Sequence, residues 1–330
     1  MTPDFEIKID STNLTHLIRD RLISLRISDE TGFKSDQLSL VIDNRGAMIE
    51  VPRQGVTLTA AIGYKEEGLT HQGTYIVDEV ATTLSPRTLT IKAKAADMTA
   101  GLKVKKTRSF EENTIGELVE LVAGEHGLIP SVSEELSSIP LSTPPYKQFD
   151  QIDENDMHML RRLAQQHDAV AMPKNGRLLF VKRGEVKAAS GKPLGTITIN
   201  EHKVSTARAR AGERGKYKSV KAYYLDAGSQ ERVAVSTGEE TPILVIRGTY
   251  GDSDTAERAV AAKLDALSRG KATLSLTGAG SPAMAAEHKL TFKTLDPLMG
   301  GDWIITRVEH EISASGFTTR IEAETPKEAK

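Results

Sequence analysis

The 330-residue sequence contains no cysteine, which excludes disulfide bonds, thiol nucleophiles and thiolate metal sites. Aromatic residues make up only 5% of the chain, too few for the stacking platforms that bind single-stranded nucleic acids or sugars. The formal net charge is −2, so no overall positive charge attracts nucleic acid or anionic membranes. We therefore expect no specific nucleic-acid binding.

The sequence also lacks long hydrophobic runs. None approaches the roughly 20 residues of a membrane-spanning helix, and the N-terminal MTPDFEIKID has no signal-peptide pattern. Charged residues make up 27% and hydrophobic residues 38%, as in ordinary globular proteins. We predict a soluble protein, assembled in a reducing cytoplasm, that does not insert into a membrane.

The first hundred residues are predicted to form β-strands because apolar and polar residues alternate along them. The alternation is clearest at residues 23–28 and 38–42, and it recurs at residues 56–64, 73–80 and 89–95. At least five consecutive strands with no helix between them indicate an antiparallel barrel or sandwich.

Helical patterns appear in the middle of the chain. Thr114 and Glu117 have the spacing of a capping box, an apolar stripe follows them, and Gly127 suits the position after the helix end. The stretch from Ile129 to Pro145 contains several Ser and Pro residues, so we expect a loop with at most a short strand.

The C-terminal third returns to strands, with one helix that Asp254 and Glu257 are expected to open. The predicted strands are residues 219–224, 231–235, 272–276, 288–292, 303–310 and 317–323. The last two are expected to pair as a hairpin through Ser315-Gly316.

Residues 149–181 are rich in acidic and histidine side chains and so raise the question of a catalytic or metal site. A helix starting near Asp156 has His158 and His167 nine positions apart, about 180° around its axis. One helix therefore cannot direct both histidines at one metal ion. Its apolar face spans about 120° and comprises Met157, Leu160, Leu163, Ala164 and His167.

Four of the five acidic residues of this segment, Asp150, Asp153, Glu154 and Asp156, lie just before and within the first helical turn, where Asn155 is a suitable N-cap. Asp156 complements the positive end of the helix dipole. Paired carboxylates serve as acid and base in glycosidases, but nothing apolar nearby indicates a raised pKa. We interpret the segment as a capped helix followed by a strand.

Common enzyme motifs are absent: there is no phosphate loop, no nucleophile elbow and no HExxH zinc motif. Residues 278–282 resemble part of a phosphate loop, but a strand follows them, so a turn is predicted. The one basic run is interpreted as a solvated linker between domains; it comprises Lys103, Lys105, Lys106 and Arg108. We therefore predict no catalytic residue, no cofactor and no metal site.

Four stretches share their order and spacing with one known family. Residues 25–40 are similar to its opening hairpin, and residues 63–64 with 73–80 to its next pair of strands. Residues 155–164 resemble its ESDxxFLxRLA helix, with Asn155 as the cap and Met159 where an aromatic is common. Residues 303–310 and 316–323 resemble its closing hairpin. The chain thus resembles the late control D family of contractile-tailed phages and R-type tailocins, related to the N-terminal hub part of VgrG spikes.

The resemblance covers about residues 1–325 and implies a structural protein of the virion, assembled in the host cytoplasm. Members of the family are baseplate hubs: trimers in which two tube-like β-barrel domains per subunit make a ring with near six-fold symmetry. Such a ring joins a hexameric tail tube to a trimeric central spike and contacts other baseplate proteins.

The resulting prediction is a mainly β, multidomain protein with an α+β insert. Its predicted parts are a first barrel at residues 1–105, the insert at 106–212, a second barrel at 213–326 and a tail at 327–330.

Two other functions are conceivable for this sequence. A tail-associated peptidoglycan hydrolase is the alternative, because some tail hubs carry lytic modules, although the resemblance leaves only a few C-terminal residues for one. A transcription regulator needs a recognition helix with basic N-terminal residues, and the sequence shows none.

Overall fold

The structure is a computed structural model. It describes residues 1–31, 36–47, 49–95, 100–111, 113–142, 148–174, 176–182, 195–212, 217–226, 228–268 and 272–326. Strands make up 55% of it and helices 19%, which confirms the mainly β, multidomain prediction. The predicted tail at 327–330 lies outside the described residues.

The strands follow one another along most of the chain. In order they are β1 Pro3–Ile9, β2 Thr12–Asn13, β3 Leu22–Glu30, β4 Gln37–Asp43, β5 Thr57–Tyr64, β6 Gly68–Leu84, β7 Arg87–Ala95, β8 Lys105–Glu111, β9 Ile129–Val132, β10 Gln148–Asn155, β11 Ala169–Lys174, β12 Arg177–Lys182, β13 Thr196–Asn200, β14 Val204–Ala211, β15 Ser219–Leu225, β16 Arg232–Ser236, β17 Ile243–Val245, β18 Ala272–Ala279, β19 Lys289–Lys293, β20 Gly301–Ser313 and β21 Gly316–Glu324. The α-helices are α1 Thr15–Ile18, α2 Ile115–Glu125, α3 Glu134–Ser137, α4 Asp156–Gln166 and α5 Ser253–Ser268. No helix in these ranges is both long and apolar enough to cross a membrane.

The chain folds into two compact units. The sheet unit comprises Met1–Met98, Gly195–Arg210 and Thr273–Ala323, and the mixed unit comprises Thr99–Leu194, Ala211–Ala272 and Glu324–Lys330. The division of the sequence at residues 105 and 212 into two barrels and an insert stays a prediction.

The sheet unit is built on one 13-stranded sheet. Its main path runs β14-β18-β21-β20-β3-β4-β7-β6-β5-β1-β2, and β13 joins through β19, which pairs with β20. Leu25 and Ile27 of β3 point into a core with Leu40 of β4, as their alternation predicts. Burying one such side chain contributes about 1.5–3 kcal/mol, so this core holds the sheet together.

The first and last thirds of the sequence meet between β3 and β20. The two strands are antiparallel, with Leu25 opposite Ile312 and Glu30 opposite Arg307. β20 is followed in the sheet by β21, so the closing hairpin expected at Ser315-Gly316 is confirmed; Gly316 has the positive φ of +115° that a glycine tolerates.

A tightly packed corner of the sheet unit lies where β18 ends. Tyr64 donates a 2.9 Å hydrogen bond to the Gly280 carbonyl, and its ring centroid lies 5.4 Å from that of Phe317. A Cβ added to Gly280 would lie 2.1 Å from the Phe317 ring. The predicted turn at 278–282 therefore starts with the last two residues of β18, and Gly280 serves close packing rather than phosphate binding.

The buried His310 stands in the same unit. Its Nε2 donates to the Met284 carbonyl at 3.1 Å, because a carbonyl only accepts, and its Nδ1 accepts from the Thr319 hydroxyl at 2.9 Å. Burial is the main cause that lowers the pKa of His310. His310 thus belongs to a packed strand.

The mixed unit contains three small sheets and the longer helices. β8 pairs with β10, β12 lies between β11 and β9, and β15 lies between β16 and β17. The capping box is confirmed, since the Thr114 side chain accepts from the Glu117 amide and the Glu117 carboxylate accepts from the Thr114 amide. Gly127 has the positive φ of +66° expected after a helix end.

One local prediction was incomplete. We predicted a loop with at most a short strand in the stretch that begins at Ile129. The structure has the short strand β9 there, but it also has the helix α3. These four residues form a helix because two glutamates in the first turn complement the helix dipole and because Leu136 is buried.

Candidate functional site: an ion-pair network around Asp156

Four elements of the mixed unit converge on the first residue of α4. β8 and β10 form an antiparallel pair, α4 begins directly after β10, and α2 ends at Glu125. Lys106 and Arg108 are two positions apart on β8, so both side chains point to the same face of that strand pair. That face meets the ends of α2 and α4.

The Asp156 side chain is fully buried and accepts four hydrogen bonds. Its Oδ2 accepts from Lys106 Nζ at 2.7 Å and from His126 Nε2 at 2.7 Å. Its Oδ1 accepts from Arg108 Nη2 at 2.9 Å and from Gln151 Nε2 at 2.9 Å. All four donors therefore stabilise the charged form of the Asp156 carboxylate.

Glu125 completes the network and balances its charge. Lys106 Nζ donates to Glu125 Oε2 at 2.8 Å, and Arg108 Nη1 donates to Glu125 Oε1. Two cations thus face two carboxylates. Burial by itself raises the pKa of each carboxyl, but the bonds from Lys106 and its neighbours outweigh burial, so the pKa values of Asp156 and Glu125 lie below their ordinary range.

A second ion pair lies next to this network. Glu154 accepts from Arg162 at 2.6 Å and from His158 Nδ1 at 2.8 Å. Burial raises the pKa of Glu154, but the hydrogen bonds from these two partners lower it by more. The pKa of Glu154 therefore lies below its ordinary value. Arg162 also lies over the Phe149 ring, 4.7 Å from its centroid, which fixes the guanidinium against β10.

Three residues of the network have the spacing of a metal site. Glu125, His126 and Asp156 each offer one ligand atom, and these atoms lie within 4.8 Å of one another. Lys106 and Arg108 already donate to both carboxylates, however, so a metal ion would have to displace two cations. The donor set therefore fits a structural ion-pair network better than a metal centre.

The two histidines of the 149–181 segment are not brought together. His158 is exposed near the start of α4 and pairs with Glu154, whereas His167 caps the other end of the helix. Burial, with a smaller contribution from the charge of Arg258, lowers the pKa of His167 to about 4. His167 is therefore a packed neutral histidine, in line with its predicted place on the apolar face.

The acidic residues divide between two roles. Asp150, Asp153 and Glu154 lie on β10 rather than in the helix, and Asn155 caps α4 by accepting from the His158 amide at 2.8 Å. Only Asp156 begins the helix, and it is fully buried. Its place in the first turn of α4 confirms that Asp156 complements the helix dipole, whereas its complete burial and its four partners were not predicted.

The interpretation of the basic run as a solvated linker was also wrong. Lys106 and Arg108 belong to β8 and are paired with buried and half-buried carboxylates. Lys105 points the other way and pairs with Asp153, both well exposed. The side chain of Lys103 lies outside the described residues. The two-residue spacing of Lys106 and Arg108 predicts that both lie on one face of a strand, but it does not indicate that this face is buried.

Known proteins resemble this chain in sequence. The sequence profile of the family described as "Phage tail baseplate hub (GPD)" matches residues 45–316. The probable baseplate hub protein of Escherichia phage 186 is 30% identical to this chain over 367 aligned positions, covering 98% of this chain and 93% of its own. The corresponding protein of Escherichia phage P2 is 29% identical with the same coverage.

A solved structure shares the fold over the whole chain. The 43 kDa tail protein of prophage MuSo2 from Shewanella oneidensis superposes with a TM-score of 0.72 at 15% identity, covering 98% of both chains. The match to the family profile over most of the chain and the similarity to the phage 186 protein decide the family assignment. This chain belongs to the phage tail baseplate hub family.

Proposed function

We propose that the protein is a trimeric adaptor that joins the hexameric tube of a contractile phage tail or tailocin to the trimeric central spike. The observation that carries the proposal is the family match over residues 45–316. The tail baseplate of the virion is where this family functions. A hub at the tail axis lies between components of different symmetry, and a closed ring of three chains solves that mismatch if each chain offers two similar surfaces.

The edges of the large sheet support this proposal. In the described part of the sheet unit, the main path ends at β14 and at β2, and each has a sheet neighbour on one side only. Six of the eight residues of β14 are exposed. A free edge presents unpaired backbone N–H and C=O groups, which a strand of another subunit can take up. The exposed edge of β14 in each of three chains can therefore pair with a strand of a neighbouring subunit.

The partners implied are two further copies of this chain, the spike protein, the tube protein and other baseplate proteins. Light scattering on the purified chain, alone and mixed with its spike protein, tests the proposal. The expected complex contains three hub chains on one spike trimer. A chain that stays monomeric in the presence of its spike contradicts it.

Peptidoglycan hydrolysis is the alternative, and the ion-pair network speaks against it. The family is one of structural proteins rather than enzymes. Asp156 and Glu125, the buried carboxylate and its half-buried neighbour, have lowered pKa values, whereas a glycosidase acid needs a raised one. A zymogram of the purified chain is expected to show no clearing; a clear zone would favour the hydrolase.

A further inference from the structure

The small sheet β16-β15-β17 has one covered and one open face. Its covered face packs Val220, Ala222 and Tyr224 against α5. The strand register puts the alternate residues on the other side, with Tyr223 opposite Ala234 and Leu225 opposite Arg232. We call this side the basic face; its strand positions are Ser219, Lys221, Tyr223, Leu225, Arg232, Ala234, Ser236, Ile243 and Val245.

Two cations converge on one aromatic ring at the centre of the basic face. The Arg232 guanidinium lies 4.4 Å and Lys221 Nζ 5.8 Å from the centroid of the Tyr223 ring. Such contacts hold a cation in place without neutralising it. The two positive charges are therefore fixed in position on this surface.

Among the residues that the structure describes, no carboxylate neutralises these cations. None of the nine strand positions is acidic, and neither Lys221 nor Arg232 forms an ion pair within the described residues. Lys106 and Arg108, in the same unit, each face two carboxylates. Two preorganised cations without a counter-charge attract an anionic partner.

Aliphatic side chains flank the cations. Leu225 is 41% exposed and Val245 is 49% exposed, at opposite ends of the face. A phosphate backbone would leave both uncovered, and the Arg232 guanidinium occupies the position over the ring where a nucleic-acid base would stack. A protein surface with carboxylates beside aliphatic side chains covers both kinds of group.

We propose that the basic face is a docking surface for a second tail protein whose contact surface carries carboxylates next to aliphatic side chains. The contact is separate from the sheet edges that the trimer proposal uses, so the two stand or fall independently. It orients the mixed unit in the assembled baseplate. Charge complementarity gives the contact its specificity and speed of association.

The test uses whole tail particles that carry the hub with Lys221→Glu and Arg232→Glu together. The matched control is Lys263→Glu, an exposed cation on α5, the helix that covers the other face. The double variant is expected to reduce the yield of complete particles about tenfold or more, the equivalent of about 1.4 kcal/mol, while the control keeps it. Circular dichroism checks folding; if the double variant does not fold, Arg232→Gln replaces it.

Suppressor selection then identifies the partner. Starting from the double variant, second-site changes that restore yield are expected to replace Asp or Glu by Lys or Arg in another tail protein. An unchanged yield, an equal loss with Lys263→Glu, or suppressors confined to this chain would overturn the proposal. So would a labelled single-stranded oligonucleotide that binds the natural chain and not the double variant, since that result assigns the face to nucleic acid. The light-scattering mass of the purified variant reports the trimer separately.

Discussion

Lys106 donates a 2.7 Å hydrogen bond to the buried carboxylate of Asp156, although the two residues are 50 positions apart in the sequence. The contact ties β8 to the first turn of α4, and Glu125 extends it to the end of α2. Asp156, Lys106 and Glu125 thus connect three elements of the mixed unit. A network of this kind fixes the geometry of the mixed unit.

Replacing Asp156 by Asn tests this structural role. The substitution removes one of two negative charges, leaves Lys106 and Arg108 underneutralised, and puts an amide where four donors converge. Because the two cations are partly exposed, we expect the free energy of opening α4 to fall by about 2–4 kcal/mol, somewhat less than for a fully buried pair. Hydrogen exchange of the α4 amides measures this quantity.

Asp153→Asn is the matched control for that experiment. Asp153 pairs with Lys105 at 2.8 Å, but both side chains are exposed. Surface pairs contribute about 0–1 kcal/mol, so exchange is expected to change little. Equal effects of the two substitutions would contradict a special role for Asp156.

The stability of the mixed unit is expected to depend on pH through His167. Its pKa is about 4 in the folded protein and about 6.5 when unfolded, so the unfolded state binds more protons between these values. The free energy of opening α4 should therefore fall as the pH drops from about 6.5 toward 4. The carboxylates Asp156 and Glu125, with lowered pKa values, lose their contribution only at still lower pH.

His167→Gln should flatten this dependence, while His158→Gln, at the exposed end of α4, should leave it in place. Hydrogen exchange of α4 at pH 7, 6 and 5 distinguishes the two variants. A slope that persists in His167→Gln would assign the effect to another group.

Gly280→Ala is expected to destabilise the sheet unit. The new methyl group would lie 2.1 Å from the Phe317 ring, so the ring must move and lose its contact with Tyr64. Overpacking of this kind costs about 1–3 kcal/mol, and thermal denaturation should show a lower Tm. Gly195→Ala, where a Cβ meets nothing within 4 Å, serves as control. An unchanged Tm for Gly280→Ala would contradict the tight packing of Gly280 against Phe317.

Local patterns predicted the elements better than their arrangement. Alternation identified β3 and β4, and the spacing of Thr114 and Glu117 predicted the start of α2, because these signals lie within a few residues. The pairing of Glu30 with Arg307 between β3 and β20 has no local signal. The Asp156 network depends on the β8–β10 register, so the burial of its carboxylate and its partners on β8 could not be predicted from local patterns.

In the candidate site, too, local features were predicted better than contacts between distant residues. The helical wheel separated His158 from His167 correctly, since it needs only the helix geometry. The association of His126 with Asp156 across 30 positions required the fold. Family resemblance indicated the function because the order of several weak motifs survives where single residues vary.

We propose that three copies of this chain connect tube and spike. Electron cryomicroscopy of the assembled tail tip, reconstructed without imposed symmetry, counts these copies and locates them. We expect three copies around the tail axis between the last tube ring and the spike, with β14 of one copy near a strand of its neighbour. Six copies, or copies away from the axis, would rule out the proposed trimeric adaptor.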